Sequence, residues 1–101
     1  MIPFDTEIKF EELPLKIGST TVALFNGTAG LTEDPGYGFT VSGISLDDHI
    51  WQEKDISIHA KHDDPFVVEL FNRLSTAVLA DVDIRERFEA ALSDHLREVA
   101  A

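Results

Sequence analysis

A chain of 101 residues with 19 acidic residues against 8 Lys and Arg carries a net charge of −11, a balance that repels nucleic-acid phosphates and anionic lipid and argues against both as direct partners. It contains no cysteine, which excludes disulfides, thiolate nucleophiles and cysteine zinc sites. Its 44% hydrophobic and 27% charged residues are the proportions of one globular domain built on one core, not of a disordered chain.

The chain divides near residue 62 into a strand-like part, 1–61, and a glycine-free helical part, 62–101. Ile8 and Phe10 alternate with Glu7, Lys9 and Glu11, the period of a half-buried strand. Leu13, Leu15 and Ile17 alternate on the opposite parity, so a bulge is expected near Glu12–Pro14, where one extra residue swaps the faces. TTVALF (20–25) reads as a strong strand. Asn26-Gly27 behind it is the best short hairpin signal in the chain, because both turn positions accept positive φ. TAGLT (28–32) is then the returning strand, and Pro35-Gly36 marks the next turn. In FTVSGISL (39–46) the parity changes from Phe39 and Val41 to Ile44 and Leu46, which predicts a second bulge at Ser42-Gly43. DISIHA (55–60) closes the series, with Ile56, Ile58 and Ala60 on one face.

Asp64-Pro65 opens the helical part with a favoured N-cap and a favoured first residue. Val67, Leu70, Phe71, Leu74, Ala77 and Val78 form one apolar stripe at helical spacing, and Ile84, Phe88, Leu92, Leu96 and Val99 form another. Asp81-Val82-Asp83 lies between them, and Asp83 with Glu86 fits a capping box. Two helices broken at 81–83 are expected; since Leu74 and Leu92 fall on the same helical angle, one long helix is the rival. The fold predicted is α+β: an antiparallel meander of four or five strands with two C-terminal helices packed on one face, in the order ββββαα.

Three of the four histidines fall in DDHIWQEKDISIHAKHDD, residues 47–64. His49, His59, His62 and Asp63 are the candidate metal ligands, since imidazole and carboxylate converging on one point is what a metal needs. The spacing matches no standard zinc motif, and each residue has a plainer role. Asp64 caps a helix, Asp63 favours its dipole, His59 shares strand parity with solvent-facing Asp55 and Ser57, and His62 sits in a turn. No metal and no other cofactor is therefore expected. No serine lies in a nucleophile elbow, no glycine turn opens a helix behind a strand as a phosphate cradle requires, and the basic residues are dispersed among acids. The expectation is a non-enzymatic protein.

Protein recognition suits the sequence better. Tyr37 stands between glycines in a loop, and Trp51 lies in a polar connection beside Asp47, Asp48 and Glu53; aromatics so placed anchor interfaces. The alternative for Trp51 is to fold back over the core. In size and charge alone the chain resembles small acidic inhibitors that mimic DNA, known from phage and mobile elements, and immunity proteins of nuclease toxins. The leading expectation is an acidic binding module, an inhibitor or accessory factor whose partner is a protein with a basic surface. The second is a structural or assembly subunit of a larger complex, such as a phage particle, that forms a homo-oligomer through the C-terminal helices, where Ile84, Phe88, Ala91, Leu92, Leu96 and Val99 offer more apolar surface than a small sheet covers. A metal-binding protein using the histidines is the third. The opening MIPFDTEIKF lacks the basic region and apolar run of a secretory signal, and no stretch approaches a membrane helix, so a cytoplasmic protein is expected.

Overall fold

The computed structural model describes residues 3–34, 38–47 and 56–100. Four strands, β1 (Asp5–Ile17), β2 (Thr20–Asp34), β3 (Gly38–Leu46) and β4 (Ile56–Ile58), precede two helices, α1 (Pro65–Ala80) and α2 (Val82–Ala100). The strands form one antiparallel sheet in the order β1-β2-β3-β4. The expected ββββαα meander is therefore the observed architecture, with four strands.

Both predicted bulges are present. The β1–β2 register shifts between Phe10 and Leu13, where Glu12 takes a left-handed φ of 55°. That conformation is uncommon for a residue with a side chain, and it is held by the Asn26 Oδ1, which accepts the Glu12 backbone N–H at 2.8 Å. The β2–β3 register shifts so that Gly30 pairs with Gly43 but Leu31 with Val41, leaving Ser42 as the extra residue. Each bulge returns the apolar positions to the inner face: Ile8, Phe10 and Leu13 on β1, and Phe39, Ile44 and Leu46 on β3, are all buried.

Asn26-Gly27 is not a turn, which corrects the strand count of its neighbourhood. TTVALF and TAGLT belong to one continuous strand, β2, and the hairpin turns at Gly18-Ser19, between the paired Ile17 and Thr20. Gly18 takes φ +63°, as the first central residue of a type II′ turn requires. Gly27 is needed for a different reason. A Cβ there would overlap the Ser45 carbonyl oxygen and stand 3.0 Å from Phe10 Cζ. The dipeptide serves the bulge and the close strand packing.

Asp64 caps α1 as expected, its Oδ1 accepting the Phe66 N–H at 2.9 Å behind Pro65. The break between helices is a single residue, Asp81, in extended conformation. Asp81, not Asp83, caps α2: its Oδ1 accepts the Ile84 N–H at 3.0 Å. Asp83 lies inside the first turn and faces Arg87.

Phe71, Leu74 and Val78 of α1 and Ile84 and Phe88 of α2 meet Ala29, Leu31, Ile58 and the buried residues of β1 and β3 in one core. The Phe88 ring tilts against Phe39 at 4.8 Å between centroids and against Phe4 at 5.9 Å. Burying each such side chain contributes about 1.5–3 kcal/mol before entropy is counted. Ala60 does not join the inner face; it is exposed in the turn after β4.

Two arginines tie the helices to the edge strand. Arg73 Nη1 donates to the Lys16 carbonyl at 3.2 Å and Arg87 Nη2 donates to the Lys9 carbonyl. Edge strands carry unpaired backbone groups that invite another chain, and these guanidinium groups occupy two of the carbonyls of β1.

Candidate functional site

The helices cover one face of the sheet, and among the described residues no element packs on the other. Alternation from the buried residues sets which side chains stand on the open face. On β1 they are Asp5, Glu7, Lys9 and Glu11, all exposed. The register sets Asp5 opposite Thr32, Glu7 opposite Gly30 and Lys9 opposite Thr28. Thr28 in turn faces Ser45, which faces Ser57.

A shallow hollow lies in the middle of this face, lined by Glu7, Thr28, Ser42, Ser45, Ser57 and His59. Its floor is the Gly30–Gly43 pair, two adjoining positions with no side chain. A Cβ on Gly30 would lie 2.8 Å from Ser42 Oγ, so the bulged serine leans over the floor. The hydroxyls of Thr28, Ser42, Ser45 and Ser57 share the lining with Ile44 and Ile58, with a carboxylate at one rim and an imidazole at the other. Glu7 on β1 and His59 beyond β4 are three strand spacings apart, about 14 Å.

The two layers carry nearly equal charge, but among the described residues it is paired differently. The first 61 residues hold ten acids against four lysines, and the remainder nine acids against four arginines. Ion pairs in the helical layer join Arg73 to Glu69 at 2.8 Å, Arg87 to Asp83 at 3.0 Å and Arg97 to Asp94 at 3.8 Å. Arg87 Nε meets Asp83 at an angle that leaves it without a hydrogen bond, so that contact is electrostatic only. All three pairs are surface contacts and contribute little to stability; their effect is to neutralise helical carboxylates locally. The carboxylates of Asp5, Glu7 and Glu11 have a single basic residue, Lys9, in their row. Asp5 Oδ1 accepts the Thr32 hydroxyl at 2.5 Å, which orients it on the sheet surface.

Of the sequence-predicted ligands, His59 and His62 come together with ring centroids 5.6 Å apart. Their Nδ1 atoms are engaged locally: His59 Nδ1 accepts the Lys61 N–H and His62 Nδ1 accepts the Asp64 N–H. Asp63 is exposed at the start of α1. Among the described residues no three metal-binding groups converge. Asp47 is exposed and directly follows β3, its N–H bonded to the Asn26 carbonyl. Tyr37, Asp48, His49, Trp51 and Glu53 lie outside the described residues. The stripe of α2 divides: Ile84 and Phe88 are buried, Ala91 and Leu92 half-buried, and Leu96 and Val99 are 55% and 71% exposed. No helix among the described residues is long and apolar enough to cross a membrane.

The hollow was not read from the sequence, since the Gly30–Gly43 pairing is set by a bulge and by strand order. The alternation of Glu7, Lys9 and Glu11 was the available signal for its rim. Comparison with protein families, with curated proteins and with solved structures finds no match for this chain.

Proposed function

We propose that this protein is a non-enzymatic binding module whose open sheet face engages a basic surface on another protein, as an inhibitor or accessory factor does. The observation that supports the reading most directly is the row of Asp5, Glu7 and Glu11 on an uncovered face, beside a hollow walled by hydroxyl oxygens. Carboxylates and hydroxyls accept hydrogen bonds from Lys and Arg side chains, and the net charge of −11 draws such a partner in and speeds encounter. The glycine floor lets a long side chain lie against the backbone.

The test is capture from source lysate at low and high salt with three forms of the protein. The wild type is compared with a variant carrying Asp5→Asn, Glu7→Gln and Glu11→Gln, and with a helical variant of equal charge loss, Glu86→Gln, Glu89→Gln and Asp94→Asn. Partners held by the wild type are expected to be released by salt, lost by the sheet variant and retained by the helical one. Partners indifferent to both salt and the sheet substitutions would overturn the reading.

A further inference from the structure

The β1–β2 hairpin runs beyond the rest of the sheet. Among the described residues β3 pairs with β2 only from Gly27 onward, and the Asp47 N–H donates to the Asn26 carbonyl just before it. Among the described residues, 20–25 of β2 therefore pair with β1 alone, and no described strand lies along their outer edge. The edge of β1 is treated differently. It alternates charged residues, and Arg73 and Arg87 occupy two of its carbonyls. Residues 20–25 carry no charge and no proline, the two common guards of an edge strand. Val22 and Leu24 are 49% and 57% exposed there, and Ile17 beside the turn is 62% exposed. The register shift between Leu15 and Lys16 bulges β2 at Val22 and limits the regular edge to residues 23–25, so a weak, concentration-dependent contact is expected.

We infer that this open edge pairs with the same edge of a second copy of the chain, antiparallel and about a two-fold axis. Charge selects that occupant. Residues 17–32 are the longest uncharged run in a sequence of net charge −11. A basic partner gains nothing from a neutral edge and is drawn to the carboxylate row. Two acidic copies repel over most of their surfaces and meet with the least repulsion here. An antiparallel strand edge is complementary to itself, which is what an isologous interface requires. This dimer is independent of the basic-partner reading, and salt separates the two. Screening weakens attraction between opposite charges and relieves repulsion between like ones. Salt therefore strengthens the dimer and releases a basic partner.

Sedimentation equilibrium of the purified chain across a wide concentration range, at low and high salt, provides the test. A monomer–dimer equilibrium is expected, shifting several-fold toward dimer at high salt. Leu24→Glu and, separately, Val22→Lys should each shift it at least tenfold toward monomer, with circular dichroism confirming the fold. Val99→Glu, at the exposed end of α2, should leave it unchanged. A monomer at every concentration, a dimer that dissolves in salt, or a dimer broken by Val99→Glu and not by Leu24→Glu would each overturn the inference.

Discussion

The two ends of the β1–β2 hairpin are made of the same kinds of residue and have opposite fates. At the root, β2 lies between two strands and under the helices, and Ala29 and Leu31 are 0% and 1% exposed. In the arm, seven residues earlier in the same strand, Leu24 is 57% exposed. Local propensity does not distinguish them, since TTVALF is the better strand sequence of the two. The difference comes from face and cover together: Leu24, an odd number of residues from Leu31, stands on the open face, while its inner-face neighbour Phe25 is half-buried against the core, and among the described residues β1 alone pairs with the arm. Strand formation and burial are separate outcomes here, and only the second contributes core stability.

One substitution made at both ends breaks the comparison most sharply. Leu31→Ala removes a fully buried side chain and should cost about 3–5 kcal/mol, as cavity-forming Leu→Ala changes do; urea denaturation followed by far-UV circular dichroism measures it. Between the extremes stands Gly27→Ala, where the new methyl meets a backbone oxygen that cannot swing aside. It should destabilise by roughly 1–3 kcal/mol through overpacking, and the same denaturation curves report it. Leu24→Ala in the arm, measured at a concentration where the chain is monomeric, should change stability by no more than about 0.5 kcal/mol, as exposed positions do. Comparable costs for Leu24→Ala and Leu31→Ala would mean that the arm is buried in solution.

The parity of the apolar residues carried most of this fold. Switches at Glu12 and at Ser42 located both bulges, because a one-residue insertion is the local way to return a strand to its core face. The cap at Asp64 was legible for the same reason: its partner, the Phe66 N–H, is two residues away. Asn26-Gly27 was misread because positive φ is only one use of glycine. Here Gly27 is set by Ser45 and Phe10, eighteen and seventeen residues distant in sequence, and nothing local records them. The hollow was hidden likewise, because it depends on a glycine pair joined across a bulge. Charge counts gave the acidity of the chain but not its layout, since the pairing of Arg73, Arg87 and Arg97 with helical acids becomes visible only once the helices are assigned. The Asp81 cap shows the limit at its finest scale: Asp81 and Asp83 are both plausible caps, and one residue of helix decides between them.

The order of the elements has a consequence for synthesis. Every buried residue of the sheet, from Ile8 to Ile58, precedes the first residue of α1, and every buried helical residue follows it. The apolar surface of the sheet therefore emerges from the ribosome before any part of its cover does. Arg73 and Arg87, which occupy the β1 carbonyls, emerge later still. Nascent chains arrested before α1 should be bound by chaperones or aggregate, since exposed strands and apolar surface are the hazards of partly folded states, and emergence of α1 and α2 should end that exposure.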